Sequence, residues 1–430
     1  MWKLFKILLA GIAVSFYFFP FEFTFLPGVN TKMAMAAIGM VIVLFNFLKD
    51  KEAHVPKDIL FTSLYAIAIS VIGLISVVYN HTPDFVYTSY IISMLVWLSS
   101  AFTVVTIIKF VHKSVSAKLI CDYLVAVCVA QCFLAQIIDT SPSFKRLVDL
   151  YVSQGQIFLN EVDRLYGIGA SLDVAGSRFS AVLICLVLVT SVEPLVSKTR
   201  LWMSVCAFLI IGVLGSMIAR TTYVGVVLCL IYISLSFKIF KLKISSSKIR
   251  VAGIVLILVM LFLPVVIKFY YGDTNVQKML RFAFEGFFNL VETGEWSIAS
   301  NEKLKTMYVL PESLKTWIIG DGYFNNPINV DPYYVGEITG GYYKGTDVGY
   351  LRFIFYFGIT GLLAFMLFFI KVAKFCTRGL PHYKSMFVFL LLANFVIWFK
   401  VSTDIFLVFA LFLCVANMQD ETPQLEEEEV

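Results

Sequence analysis

An aspartate, four arginines and a set of tyrosines are the side chains here best suited to chemistry. Asp347 opens the stretch Asp347-Val-Gly-Tyr-Leu-Arg352, which runs into Phe353-Ile-Phe-Tyr-Phe-Gly-Ile-Thr-Gly361. A carboxylate can accept a proton from a hydroxyl nucleophile. Arg178, Arg220 and Arg352 stand at or near the ends of apolar runs and Arg281 in a long polar stretch, and arginine forks match phosphate oxygens. Tyr323, Tyr333, Tyr334, Tyr342, Tyr343 and Tyr350 add flat rings with hydroxyl tips, which suit sugar faces and the membrane interface alike.

Composition says where these groups must work. The chain has 430 residues, 59% hydrophobic and 15% charged, with a mean hydropathy of +0.85. A soluble fold of this size could not bury so much apolar surface, so the chain reads as a polytopic membrane protein. Apolar runs predict about twelve spans, near 5–20, 31–48, 59–79, 90–108, 119–138, 179–196, 201–219, 221–237, 251–270, 348–370, 385–399 and 404–418. The last two are short and separated by Lys400-Val-Ser-Thr403. A single helix there would bury Lys400, so two are expected. Residues 1–418 read as one integral-membrane domain, and the acidic tail 419–430 as solvated and disordered.

Lysine and arginine set the orientation. With the N-terminus inside, the inner loops hold Lys49, Lys51 and Lys57, then Lys109, Lys113 and Lys118, then Lys198 and Arg200. Lys238 to Arg250 and Lys371 to Lys384 continue the series, while loops 21–30 and 80–89 contain no lysine or arginine. Both termini are therefore expected in the cytoplasm, and the polar segments 139–178 and 271–346 outside.

On that outer side, Phe144, Leu147, Val148, Tyr151 and Val152 recur at helical spacing and predict an interfacial helix. A glycine-rich lead-in then places Arg178 at the mouth of the next span, where snorkelling is the plainer role. Arg220 lies between two apolar runs with almost no loop, where an arginine binds an anion or forms an internal salt bridge. Residues 276–292 predict one amphipathic helix, with Arg281 and Glu285 either an exposed pair or a clamp on an anionic ligand. A second helix is expected near Asn301, interrupted at Pro311. Gly320-Asp-Gly322 is too short for a nucleotide loop, and no Gly-Lys-Ser/Thr follows.

The eight cysteines mostly sit in apolar runs, Cys376 being placed in a basic loop, and the four histidines are scattered. Neither set has metal-ligand spacing, nor do Asp321, Asp331 and Asp347. No internal repeat of the transporter kind is evident. The outer rim thus suits a lipid-linked pyrophosphate donor and a sugar acceptor. Arginines would stabilise the diphosphate leaving group, and Asp347 would orient or deprotonate the acceptor hydroxyl.

Ala219-Arg-Thr221 before an apolar span resembles the Ser-Arg-Thr/Ser signature of O-antigen polymerases and ligases. So do the outer loop closing on Ile318-Ile-Gly-Asp-Gly-Tyr-Phe324 and the Asp347 to Gly361 stretch that follows. The resemblance covers the second half by motif and the whole chain by topology. Ligases commonly carry histidine where Asp347 stands, so the aspartate resembles the Wzy-type polymerases more closely. The resemblance implies an all-α, GT-C-like membrane glycosyltransferase of the bacterial inner membrane, with a long, partly helical periplasmic loop. It implies undecaprenyl-pyrophosphate-linked oligosaccharide as substrate, no cofactor, metal or nucleic acid, and a chain-length co-polymerase and flippase as partners. Asp347 and Arg220 fall at its catalytic positions. Arg178 corresponds loosely to its arginine at the preceding outer mouth, and Arg281 is the candidate for its loop arginine, a departure from the usual place near Asn301 to Lys305, where Lys303 or Lys305 are the alternatives. Arg352, Tyr323 and Tyr350 complete the expected binding set. A ligase acting on lipid A-core and a non-enzymatic flippase or transporter are the alternatives.

Overall fold

The computed structural model describes residues 2–49, 55–155, 158–159, 164–192, 197–236, 274–327 and 341–420. The expected span 251–270, the basic loop 238–250, Asp331, Tyr333, Tyr334 and the tail beyond 420 lie outside the described residues. The chain divides into two compact units, Met1–Leu124 with Lys303–Val430, and Val125–Glu302. The chain is mostly helical. Among the described residues, seven helices have the length and composition to cross a membrane.

The first unit is built from α1 (Trp2–Phe18), α2 (Thr31–Lys49), α3 (Lys57–Asn80), α4 (Tyr90–His112) and the start of α5 (Ala117–Thr140). Small residues let α2 and α4 approach closely. A Cβ on Gly39 would collide with the Ser99 carbonyl, and Thr103 Oγ1 donates to the Met35 carbonyl at 2.8 Å.

The second unit contains the rest of α5, then α6 (Pro142–Tyr151), α7 (Leu172–Val192), α8 (Lys198–Ile218) and α9 (Thr222–Ser236). It continues through α10 (Thr274–Ala283), α11 (Glu285–Thr293) and the start of α12 (Ala299–Thr306). Helix α6 begins where Ser141 Oγ accepts from the Phe144 amide, with Pro142 in the first turn, a favoured start for a helix. It buries Val148 and exposes Leu147, Leu150 and Tyr151, so a helix stands where one was expected, ending at Tyr151 before Val152 enters a short strand. Helix α7 begins at Leu172, earlier than the apolar run suggested, so Arg178 lies inside the helix and is buried.

The expected single helix over 276–292 is two. Phe284 separates α10 from α11 with φ −108° and ψ 26°. The Phe282 and Ala283 carbonyls accept from Arg220 Nε at 2.8 Å and Tyr223 Oη at 3.0 Å. Side chains thus take acceptors that a continuous helix would use.

The first unit resumes with α13 (Leu314–Ile318), α14 (Gly349–Gly379), α15 (Lys384–Ile397) and α16 (Phe406–Asp420). Residues 384–420 form two helices. The Trp398 indole donates to the Thr403 carbonyl at 3.0 Å and Asn394 Oδ1 accepts from the Ile405 amide at 3.1 Å, which stabilises the bend. Helix α16 is apolar on every side and buried from Phe406 to Ala416, as such a helix must be inside a bundle. Cys376 belongs to α14 and is buried, not in a loop as expected, because that helix runs on to Gly379.

Helix α14 is not continuous. Phe357 (φ −135°, ψ 21°) and Gly358 (φ 68°, ψ −176°) interrupt it two turns from its start. Backbone groups freed in an apolar medium must find partners, and the chain supplies them. The Phe355 carbonyl accepts from the Asp321 amide at 2.6 Å and the Tyr356 carbonyl from the Gly322 amide at 3.1 Å. Ser76 Oγ also donates to the Tyr356 carbonyl at 2.6 Å.

Candidate functional site

Asp347 lies just before α14, and its side chain is 22% exposed. Its neighbours are packed: Thr346 and Val348 are buried, and Val348 donates its amide to Thr346 Oγ1 at 3.3 Å. One carboxylate oxygen stands 3.8 Å from Arg352 Nη1, an ion-pair distance too long for a hydrogen bond. Asp347 is therefore held beside a positive charge while its side chain stays partly exposed.

Arg352 is buried, and its fork is occupied. Nη1 donates to Ser402 Oγ at 3.0 Å, and Nη2 to Asn325 Oδ1 at 2.8 Å and the Phe324 carbonyl at 3.2 Å. The guanidinium is 3.7 Å from the Phe324 ring centre and 4.4 Å from that of Tyr342, within cation–π range of both. Arg352 was expected to bind substrate. In the structure it anchors the 324–325 segment and flanks Asp347.

Gly320-Asp-Gly322 is the loop that closes the break in α14. Both glycines adopt positive φ, +88° and +74°. A Cβ on Gly320 would sit 2.5 Å from the Tyr356 carbonyl oxygen, and one on Gly322 2.6 Å from Thr82 Oγ1. Asp321 Oδ1 accepts from Lys315 Nζ at 2.6 Å and Thr316 Oγ1 at 2.7 Å, and Oδ2 from Tyr343 Oη at 3.2 Å. The C-terminal end of α3 grips the same loop. Asn80 Nδ2 donates to the Gly320 carbonyl at 3.2 Å, Thr82 Oγ1 to that of Gly322 at 2.8 Å, and Asp84 Oδ2 accepts from the Phe324 amide at 2.8 Å. Residues 76–84 carried no signal of this role in the sequence, because a polar helix end looks like any loop entry.

Of the tyrosines expected as sugar platforms, Tyr323 and Tyr343 are buried, Tyr350 is half-buried and Tyr342 is exposed. Tyr323 is 5% exposed, stacks on Tyr343 at 5.3 Å and shares its cluster with Phe355. Tyr350 donates to the Phe395 carbonyl at 2.9 Å, and its ring packs on Phe399 at 5.0 Å. Both rings spend their faces on aromatic neighbours.

In the second unit, Arg220 occupies the short turn between α8 and α9. Ser180 Oγ donates to the Thr221 carbonyl at 2.8 Å, Asp173 accepts from Thr221 Oγ1, and a Cβ on Gly176 would meet that of Ala219 at 2.8 Å. The Arg220 fork bonds the Phe282 carbonyl, Ser300 Oγ at 2.9 Å and Glu285 Oε2 at 2.6 Å. Of the two roles open to it, the structure therefore has the internal salt bridge. Burial pushes the Arg220 guanidinium down from its ordinary range and Glu285 pulls it back up. Arg281 pairs with Glu292, and the Arg281–Glu285 pair that was one of its two possible roles is not formed, because the break at Phe284 turns Glu285 toward Arg220. Lys303 and Lys305 are exposed on α12.

Arg164 was missed. Its guanidinium lies 5.1 Å from the Phe282 ring centre, and that of Arg220 lies 4.1 Å from the same ring. Arg164 also lines a cleft of about 210 Å³ with Asp139, Lys145 and Tyr166. No periodicity marks it, since it sits in an irregular segment. Among the described residues, no three histidine, cysteine, aspartate or glutamate side chains converge as metal ligands. Asp347, Arg352, Tyr323 and Tyr350 belong to the first unit, and Arg178, Arg220 and Arg281 to the second.

The fold defines a helical, multi-pass membrane protein. No protein-family model, curated protein or solved structure matches the chain.

Proposed function

We propose that this protein is an integral-membrane polysaccharide polymerase of the Wzy type. It would move a glycan from undecaprenyl pyrophosphate to the non-reducing end of a lipid-linked repeat unit. The reading takes the chain as about twelve spans in a GT-C-like arrangement in the bacterial inner membrane. Both termini would be cytoplasmic and Asp347 would face the periplasm, by the lysine and arginine asymmetry of the loops.

The observation that carries it is Asp347: a part-exposed carboxylate beside the buried Arg352, whose two terminal nitrogens are hydrogen-bonded to Ser402 and Asn325. Such a group can accept the proton of an acceptor hydroxyl as its oxygen attacks the anomeric carbon. The bond from that carbon to the diphosphate breaks, and the diphosphate leaves with its electron pair. Arginine would stabilise the charge that develops there. Arg220 reaches a diphosphate only by exchanging Glu285 for a phosphate oxygen, so Asp347 carries more of the proposal than Arg220 does. A co-polymerase and a flippase are the partners this reading brings with it.

The test is reconstitution. Proteoliposomes supplied with lipid-linked repeat units should yield polymer, and Asp347→Asn should reduce it by about 10²- to 10⁴-fold with normal protein levels. Normal chain-length ladders from Asp347→Asn would defeat the assignment. A deletion strain separates the ligase alternative: polymerase loss leaves core capped by single repeats, whereas ligase loss leaves uncapped core and lipid-linked polymer. Transport of repeat units without polymer would point to a flippase.

A further inference from the structure

We propose that α11 and the segment returning to Trp296 lie on the membrane surface, tethered there by the Arg220–Glu285 salt bridge, with Phe287, Leu290, Val291 and Trp296 in the lipid interface. This goes beyond the proposed reaction and does not depend on it.

Helix α11 is amphipathic at helical spacing. Glu285, Asn289 and Glu292 share one face, and Phe287, Leu290 and Val291 the other. The polar face is engaged: Glu285 by Arg220, Asn289 by the Ser297 carbonyl at 2.8 Å, and Glu292 by Arg281. The apolar face is open. Phe287 is 58% exposed, Leu290 44%, Val291 85% and Trp296 52%. The return segment is built to present it. A Cβ on Gly286 would meet the Trp296 ring at 2.8 Å, and that indole packs edge-on to Phe287 at 4.9 Å. Four large apolar side chains in one rigid patch are an interaction surface.

The tether identifies the occupant as lipid. Helix α8 is long and apolar enough to cross a membrane, and α9 leaves Val227, Leu230 and Ile231 exposed. The turn at 219–221 joins them, so it falls at the boundary between hydrocarbon and water. Arg220 in that turn bonds Glu285 and the Phe282 carbonyl, and Tyr223 bonds the Ala283 carbonyl. The first turn of α11 is therefore fixed at the same level. An amphipathic helix held at that depth is continuous with the lipid-facing surface of the unit and lies in the interface plane, where an exposed tryptophan also belongs.

Spin labelling tests this on the full chain. Cys206 is the one exposed cysteine, so Cys206→Ser clears the background. Val291→Cys is then labelled in nanodiscs of phosphatidylethanolamine and phosphatidylglycerol, and collisions with oxygen and with an aqueous nickel chelate are compared. Val227→Cys serves as the lipid reference and Lys303→Cys as the water reference. The oxygen-to-nickel ratio at Val291→Cys should match the lipid reference and exceed the water reference several-fold. A ratio equal to that of Lys303→Cys overturns the proposal, as does protection from both reagents, which would mean that protein covers the patch. Adding Glu285→Gln should move the ratio toward water, and an unchanged ratio overturns the tether.

Discussion

Gly358→Ala should be among the most damaging single-methyl additions in this protein. Gly358 holds φ 68° and ψ −176°, a region essentially closed to residues with a side chain, at a cost of about 1–3 kcal/mol. The added Cβ would also overlap the Ile318 carbonyl and lie 2.7 Å from the Ile319 amide nitrogen. Those are backbone atoms, so relief requires the 318–322 segment to move. Movement sacrifices the Asp321 and Gly322 amide bonds to the Phe355 and Tyr356 carbonyls, at about 1 kcal/mol each. The sum is about 3–5 kcal/mol, a large share of a typical stability of about 5–15 kcal/mol. Thermal unfolding in detergent micelles, read as the surviving monodisperse fraction, should fall by on the order of 10 °C. Gly11→Ala is the control, because its Cβ meets nothing within 4 Å and alanine favours the helix by about 1 kcal/mol. If Gly358→Ala melts within about 2 °C of the parent, the break does not depend on glycine and the reasoning fails.

Three further outcomes follow from the same geometry. Gly225→Ala would place its Cβ 2.6 Å from the Ser180 carbonyl oxygen, so it should cost about 1–3 kcal/mol; an unshifted melting curve would mean that α7 and α9 do not meet there. Glu285→Ala should destabilise by about 1–3 kcal/mol more than Glu292→Ala, because the Arg220 pair is 14% and 23% exposed against 42% and 47% for the Arg281 pair; equal losses would refute that ranking. Burial, reinforced by the Asp149 charge and hydrogen bond, pushes the Tyr166 phenol up to about 12. Because its folded pKa is raised, the stabilisation is complete below pH about 10 and is lost as pH rises from there toward 12. Tyr166→Phe should flatten that window by about 1 kcal/mol, and identical alkaline melting of the two proteins would count against it.

Helix positions were legible because hydrocarbon sets them. Runs of apolar residues long enough to span can hardly be anything else, and even the short pair at the C-terminus was separable by Lys400. Helix ends were less so. Leu172 starts α7 ahead of the apolar run because the Gln131 side chain bonds both the amide and the carbonyl of Ile168 at 2.9 Å, fixing the lead-in. That contact has no local signature. The break at Phe284 was hidden for the same reason: it depends on Arg220 and Tyr223, some sixty residues away. In the candidate site, Asp347 stood out in the sequence by its place where a polar loop enters an apolar run. The packing of Tyr323 on Tyr343 and of Tyr350 on Phe399 was not legible, because a tyrosine that packs on aromatic neighbours has the same sequence appearance as one that faces a sugar.

The motifs that resemble the polymerase and ligase signatures separate into two physical kinds. Gly320, Gly322 and Gly358 serve one device, a helix interruption sealed by an inserted loop. Any bundle that breaks a helix in this way needs glycines at those places, whatever its reaction. Their presence therefore speaks for a shared backbone device more than for shared chemistry. Arg220 is likewise explained by its turn, since a guanidinium held by Glu285, Ser300 and the Phe282 carbonyl has a sufficient structural task. Asp347 is different. It stands 3.8 Å from Arg352, which is committed to Phe324, Asn325 and Ser402. A carboxylate kept part-exposed next to a charge that cannot swing away is what proton transfer at a fixed point requires. The choice of reaction thus turns on Asp347, and its substitution distinguishes chemistry from architecture more sharply than any glycine variant can.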